Sequence, residues 1–72
     1  SFSSFKSVPF SEVIDEFERQ YNVKIETDID ASKLFTGMFV HNNRELALKS
    51  ISLPFNLEYS IKDKYITLHK FE

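Results

Sequence analysis

The sequence has no cysteine, a single glycine, two prolines and one methionine among 72 residues. Without cysteine, neither a disulfide framework nor a thiolate metal site supports so short a chain. So little glycine and proline argues against a low-complexity or disordered segment. Charge of one sign is scarce too. The formal net charge is −2, too small and of the wrong sign to attract a polyanion, which sets nucleic acid aside as a partner. No apolar run approaches the length of a membrane span and nothing resembles a signal peptide, so the domain reads as soluble. The chain opens on Ser1 rather than Met, and strand-like sequence begins at once. One domain, residues 1–72, cut from a longer protein is therefore expected. The missing targeting signals carry no information on compartment. A chain this small buries only about 60% of its unfolded surface. Stability must come from packing, and eight phenylalanines and three tyrosines are its source, each ring burying on the order of 150–250 Å².

The chain is organised around Val8–Tyr21. Phe10, Val13, Ile14, Phe17 and Tyr21 fall at helical spacing, while Glu12, Asp15, Glu16, Glu18 and Arg19 cover the opposite face. Pro9 suits the first helical position, where its missing N–H costs nothing, and Ser7 is the better side-chain cap. Asn22 tolerates a left-handed helix end. Alternation follows, with Val23, Ile25 and Thr27 on one side and Lys24 and Glu26 on the other. Before the helix, Phe2 to Lys6 reads as a first strand, with Phe5 in the core and Phe2 at a frayed end.

Asp28 to Lys33 is a polar connection. Its two aspartates lack the third carboxylate, the turn glycine and the terminal glutamate of a calcium loop, so they read as turn-formers. Leu34 to Val40 is a third strand with Phe35, Gly37 and Phe39 on one face and Leu34, Thr36, Met38 and Val40 on the other. Both faces are largely apolar. Either both are covered, or one is an exposed patch kept for a partner. Gly37 inside a strand points to a bulge or a close approach, with packing against a helix preferred; with no second glycine it is no phosphate loop. Asn42-Asn43-Arg44-Glu45 fits a variant capping box at the start of a second helix, in which Ala47, Leu48 and Ile51 are buried and Leu46 and Leu53 are marginal. Pro54 stops it. Leu57, Tyr59 and Ile61 then point inward, Lys62-Asp63-Lys64 turns, and Tyr65 to Lys70 closes with Ile66 and Leu68 inward. The predicted fold is α+β in the order β-α-β-β-α-β-β: two βαβ motifs whose two helices pack against small sheets.

The search for chemistry finds little. His41 and His69 lie in different elements, without a cysteine or a carboxylate at metal-ligand spacing, and read as solvated. Ser1, Ser3, Ser4 and Ser7 lack the strained strand-to-helix turn of a nucleophile elbow. The helix carboxylates are dispersed rather than convergent. No catalytic, cofactor-binding or metal residue is assigned, no cofactor is expected, and the chain does not read as an enzyme. A binding module remains. An RNA-recognition domain of ferredoxin-like fold is one alternative, since Leu34–Val40 sets a glycine between aromatics. It lacks that motif's basic residue and second glycine, and its phenylalanines face the wrong way for stacking.

Five segments carry a stronger likeness. Phe5-Lys6-Ser7-Val8-Pro9-Phe10 with Val13-Ile14, then Tyr21-Asn22-Val23-Lys24-Ile25, resemble the opening of the C-terminal domain of FecR-like anti-sigma regulators of Bacteroidetes type. Phe35-Thr36-Gly37-Met38-Phe39, Glu45-Leu46-Ala47-Leu48-Lys49-Ser50-Ile51 and Leu57-Glu58-Tyr59-Ser60-Ile61 resemble its later segments in the right order. The likeness runs from about Phe5 to Leu68. It departs at Asp63-Lys64, where the family often has Gly or Asn.

The resemblance implies the secretin and TonB N-terminal (STN) fold and a role in cell-surface signalling. Such a regulator is anchored in the inner membrane, restrains an extracytoplasmic-function sigma factor through another part of its chain, and senses a TonB-dependent receptor's signalling domain with its periplasmic C-terminal region. The implied location is therefore a periplasmic domain of an inner-membrane protein. A sibling reading is the N-terminal STN signalling domain of the receptor itself, or of a secretin; it ranks second because the F-K-x-x-P and F-T-G-x-F segments fit the regulator better. Small sheets leave edge strands open to a partner strand. Met38, Val40 and Tyr65, apolar or aromatic on faces not assigned to the core, are the candidate partner-binding residues.

Overall fold

The computed structural model describes residues 1–71. Its elements are β1 (Phe2–Pro9), α1 (Phe10–Tyr21), β2 (Lys24–Thr27), β3 (Leu34–Val40), α2 (Arg44–Ser52), a short 3-10 turn (Leu53–Phe55), β4 (Leu57–Lys62) and β5 (Tyr65–Lys70). This is the expected β-α-β-β-α-β-β order. The strands form two sheets. β1 and β3 pair antiparallel in one, while the other has the order β2-β5-β4, with β2 parallel and β4 antiparallel to β5. Each βαβ half thus sends its first strand to one sheet and its second to the other.

β1 runs three residues beyond the expected Lys6. Its register with β3 shifts between Phe5 and Val8, so that Lys6 and Ser7 stand opposite Thr36 alone. This is a bulge, and Ser7 takes the left-handed φ of 51° that it demands. The Ser7 N–H donates to Thr36 Oγ1 at 2.9 Å. Ser7 is therefore not the helix cap, and Pro9 sits one position before the first helical residue, with ψ 139°. No side chain caps α1, because two backbone carbonyls do so instead. The N–H groups of Phe10 and Ser11 donate to the carbonyls of Lys33 and Ala31 at 2.8 and 2.9 Å, satisfying two of the orphan donors of the first turn. Asn22 ends α1 in the left-handed conformation, as expected.

Asp30 shapes the turn that follows β2, its carboxylate accepting from the Ser32 N–H and hydroxyl. Ile29 within that polar stretch is buried, which composition alone did not suggest. In α2 the cap is Asn43, whose side chain accepts from the Leu46 N–H at 3.1 Å. Glu45 then falls at the second helical position, too early to close a reciprocal capping box. Asp63 takes a φ of 57° in the last hairpin, the positive value that tight hairpin turns require.

The core lies between the sheets. Phe10, Val13, Ile14 and Phe17 of α1 and Ala47, Leu48 and Ile51 of α2 are buried against Phe35 and Phe39 on one side and Ile25, Ile66 and Leu68 on the other. Phe39 is the hub of an aromatic cluster, 5.1 Å from Phe17 and 5.9 Å from Phe5 between ring centroids. Gly37 is explained within its own strand rather than by a helix. A Cβ there would lie 3.0 Å from Cε1 and Cζ of Phe35. Ile61, expected inward, is 39% exposed. It belongs to edge strand β4 beside the hairpin tip, whereas its partner Ile66 on the central strand is fully covered.

Candidate functional site

A cluster of polar side chains ties β1 to α1 and to the residue that follows β3. Ser3 Oγ donates to Glu16 Oε2 at 3.0 Å and lies 2.7 Å from His41 Nε2. Arg19 first, then Gln20 and Ser3, hold the Glu16 carboxyl below the usual carboxylate range. In a nucleophilic triad the acid orients the base from its far nitrogen; here carboxylate and imidazole both spend themselves on the hydroxyl. The arrangement is a clasp. His41 is accordingly half-buried and bonded rather than solvated, and its N–H extends the β1–β3 ladder to the Ser1 carbonyl. Among the described residues no group of three or more His, Cys, Asp or Glu side chains could hold a metal ion.

The two sheets differ sharply on their outer faces. Cross-strand partners point to the same side. On the three-stranded sheet, the outward pairs are Glu58 with His69, Ser60 with Thr67 and Lys62 with Tyr65, continued by Lys24 and Glu26 of β2. That face is polar and carries both signs of charge. Tyr65 stands on it, beside Lys24 and Lys62, and a hydrogen bond to Glu26 pushes its hydroxyl pKa up.

The outer face of the two-stranded sheet is apolar. Phe2 stands opposite Val40, Ser4 opposite Met38 and Pro9 opposite Leu34. Phe2, Leu34 and Met38 are 56%, 63% and 44% exposed, and Val40 is half-buried. Phe35 and Phe39 fill the opposite, inner face and are 0% and 1% exposed. Of the three sequence candidates, Met38 and Val40 share the apolar face, and Tyr65 lies on the outer face of the other sheet. Phe2 and Leu34 join the first two. The sequence places Phe2 at a frayed end, and only its register with Val40 brings it into the patch.

The same geometry weighs against RNA binding. The strands are divided between two sheets, and the phenylalanines that would have to stack on bases are inside. What remains is a partly apolar face on a small split sheet, free of carboxylates. Residues 3–68 match the FecR C-terminal family. The chain belongs to that family. No curated protein matches it. Two crystal structures of a provisionally assigned anti-sigma factor from Parabacteroides distasonis are similar to this FecR C-terminal domain. One, at 26% identity, superposes with a TM-score of 0.83; the other, at 24%, with a TM-score of 0.82, and the latter likeness speaks for the fold alone. Each covers 100% of this chain, which spans 35% of the length of those structures. No described helix is long and apolar enough to cross a membrane.

Proposed function

We infer that this FecR C-terminal domain is a non-catalytic protein-recognition module of an anti-sigma regulator. In this reading it lies in the periplasm as part of a longer chain anchored in the inner membrane. It senses the signalling domain of a TonB-dependent outer-membrane receptor, while another part of the chain holds an extracytoplasmic-function sigma factor. The observation that carries the reading is the family match over residues 3–68, and the likeness to an anti-sigma factor from Parabacteroides distasonis at 26% identity supports it. The physical character of the domain agrees. Glu16 and His41 are engaged with the Ser3 hydroxyl, and the distinctive surface is an exposed apolar strand face. Exposed apolar patches on small domains mark protein contacts.

Deleting the domain from the full-length regulator tests this. Transcription from the sigma-dependent promoter is followed with and without the receptor's imported ligand. The expected outcome is loss of the ligand response. An unchanged ligand response would remove this domain from the relay.

A further inference from the structure

Each of the two sheets has two outer edges, and the chain treats the four differently. In sheets, unpaired edge N–H and C=O groups invite another strand, and charges, prolines, bulges or covering side chains are the usual guards. β2 is guarded by Glu18, whose Oε2 accepts the Ile25 N–H at 2.8 Å. β4 carries Glu58 and Lys62. β1 carries Lys6, the bulge at Lys6–Ser7 and Pro9. β3, Leu-Phe-Thr-Gly-Met-Phe-Val, has no charge, no proline and no bulge of its own.

The direction of its free groups follows from the ladder. The His41 N–H bonds to the Ser1 carbonyl beyond one end of the β1–β3 pair, and the Phe10 N–H bonds to the Lys33 carbonyl beyond the other. Bonding direction alternates along an antiparallel strand. Odd-numbered residues of β3 therefore bond to β1, and the N–H and C=O groups of Leu34, Thr36 and Met38 point to the free edge. Among the described residues these groups have no hydrogen-bond partner. The run ends at Val40, whose carbonyl is taken by the Tyr21 hydroxyl. The open stretch is thus Leu34 to Met38, which suits a strand of ordinary length, about five or six residues.

We propose that the β3 edge from Leu34 to Met38, with the apolar face it borders, takes one extended segment of a protein partner as a third strand. This rests on the protein-recognition reading and names the surface that performs it. Two observations define the occupant. The first is area. Two strands of about seven residues, at about 3.3 Å per residue and about 4.8 Å apart, present a face of roughly 23 by 10 Å. Two copies laid face to face would bury on the order of 500 Å² in total, well short of the roughly 1,200 Å² of a stable interface. A single strand, held mainly by backbone bonds, fits the space. The second is charge. β1 and β3 carry one lysine, Lys6, and no carboxylate, and the adjoining Lys33 holds its ammonium 5.2 Å from the Phe55 ring centroid with Asp30 as its carboxylate neighbour, in a chain whose net charge is −2. The occupant alternates apolar residues to continue the row of Leu34 and Met38, and it carries an acidic residue near Lys33.

The test uses the purified domain and the N-terminal signalling domains of TonB-dependent receptors from the source bacterium, titrated by calorimetry. Met38→Lys and Leu34→Lys place a charge on exposed positions and leave the melting temperature unchanged to within a few degrees. Each is expected to weaken binding at least tenfold, Lys33→Glu to weaken it severalfold, and Lys62→Glu on the other sheet to leave it unchanged. Binding that survives both Met38→Lys and Leu34→Lys would overturn the proposal and leave the recognition reading standing, and its loss with Lys62→Glu would move the surface to the other sheet. If no receptor domain binds the unaltered chain, that reading falls and the proposal with it. Concentration-dependent self-association abolished by Met38→Lys would make a second copy the occupant and would also overturn it.

Discussion

Replacing Phe17 by alanine probes the packing of the whole domain through one side chain. Phe17 is 0% exposed and its ring centroid lies 4.8 Å from that of Tyr21 and 5.1 Å from that of Phe39. It is where α1 meets the inner face of β3. Removing a buried phenylalanine ring loses its transfer free energy and leaves a cavity, together about 3–5 kcal/mol. A chain of 72 residues at roughly 0.05–0.15 kcal/mol per residue has about 4–11 kcal/mol of stability in all. The variant therefore keeps a small margin or none. Even the lower cost lowers the melting temperature by at least about 12 °C in a domain of this size. Urea unfolding followed by far-ultraviolet circular dichroism measures it, with Phe17→Leu as a milder partner should the alanine variant not fold. A loss under about 1 kcal/mol for Phe17→Ala would refute the reasoning, because it would mean that the ring is not a structural centre.

Three further outcomes are expected. Gly37→Ala puts a Cβ 3.0 Å from the Phe35 ring, which Phe10 and Phe55 hold in place, so urea unfolding should show a loss of about 1–3 kcal/mol typical of overpacking. Ser52 is 3% exposed and its hydroxyl has no partner among the described residues; Ser52→Ala removes an unsatisfied group and improves helix propensity, and the same melts should show a gain of about 1 kcal/mol. Glu16 has its pKa lowered by Arg19, Gln20 and Ser3. Its contribution is therefore present above the unfolded carboxylate value of about 4.3 and is lost as pH falls through the lower folded value. Acid titration of Glu16→Gln should show a shallower loss of stability below that pH than the unaltered chain.

Periodicity made most of the fold legible. The stripe from Phe10 to Tyr21 identified α1 and its buried face, and the Phe35, Gly37 and Phe39 row placed the inner side of β3, because burial against one layer imposes a period on each element. The errors cluster where tertiary contacts replace local ones. The sequence places Pro9 at the first helical position with Ser7 as its cap, yet Pro9 precedes the helix and the caps of α1 come from the carbonyls of Ala31 and Lys33, far along the chain. The bulge at Lys6–Ser7 has no local glycine to announce it. Ile29 sits in a polar run, and only the path of the loop turns it inward. For the candidate surface, the apolar row of Leu34, Met38 and Val40 was visible as alternation. The contribution of Phe2 was not, since it depends on strand register, and neither was the separation of Tyr65 onto the other sheet. Which edge is unguarded depends on pairing direction and on side chains such as Glu18 reaching across from a helix. No pattern along one strand contains that information.

The central claim is that the β3 edge is open and receives a partner strand. Amide hydrogen exchange of the domain, read residue by residue by NMR, tests it with and without a receptor signalling domain bound. In the free domain the N–H groups of Leu34, Thr36 and Met38 should exchange fast and those of Phe35, Gly37 and Phe39 slowly; on binding, the first three should become protected. Protection of all six in the free domain, or fast exchange of Leu34, Thr36 and Met38 in the complex, would contradict the account.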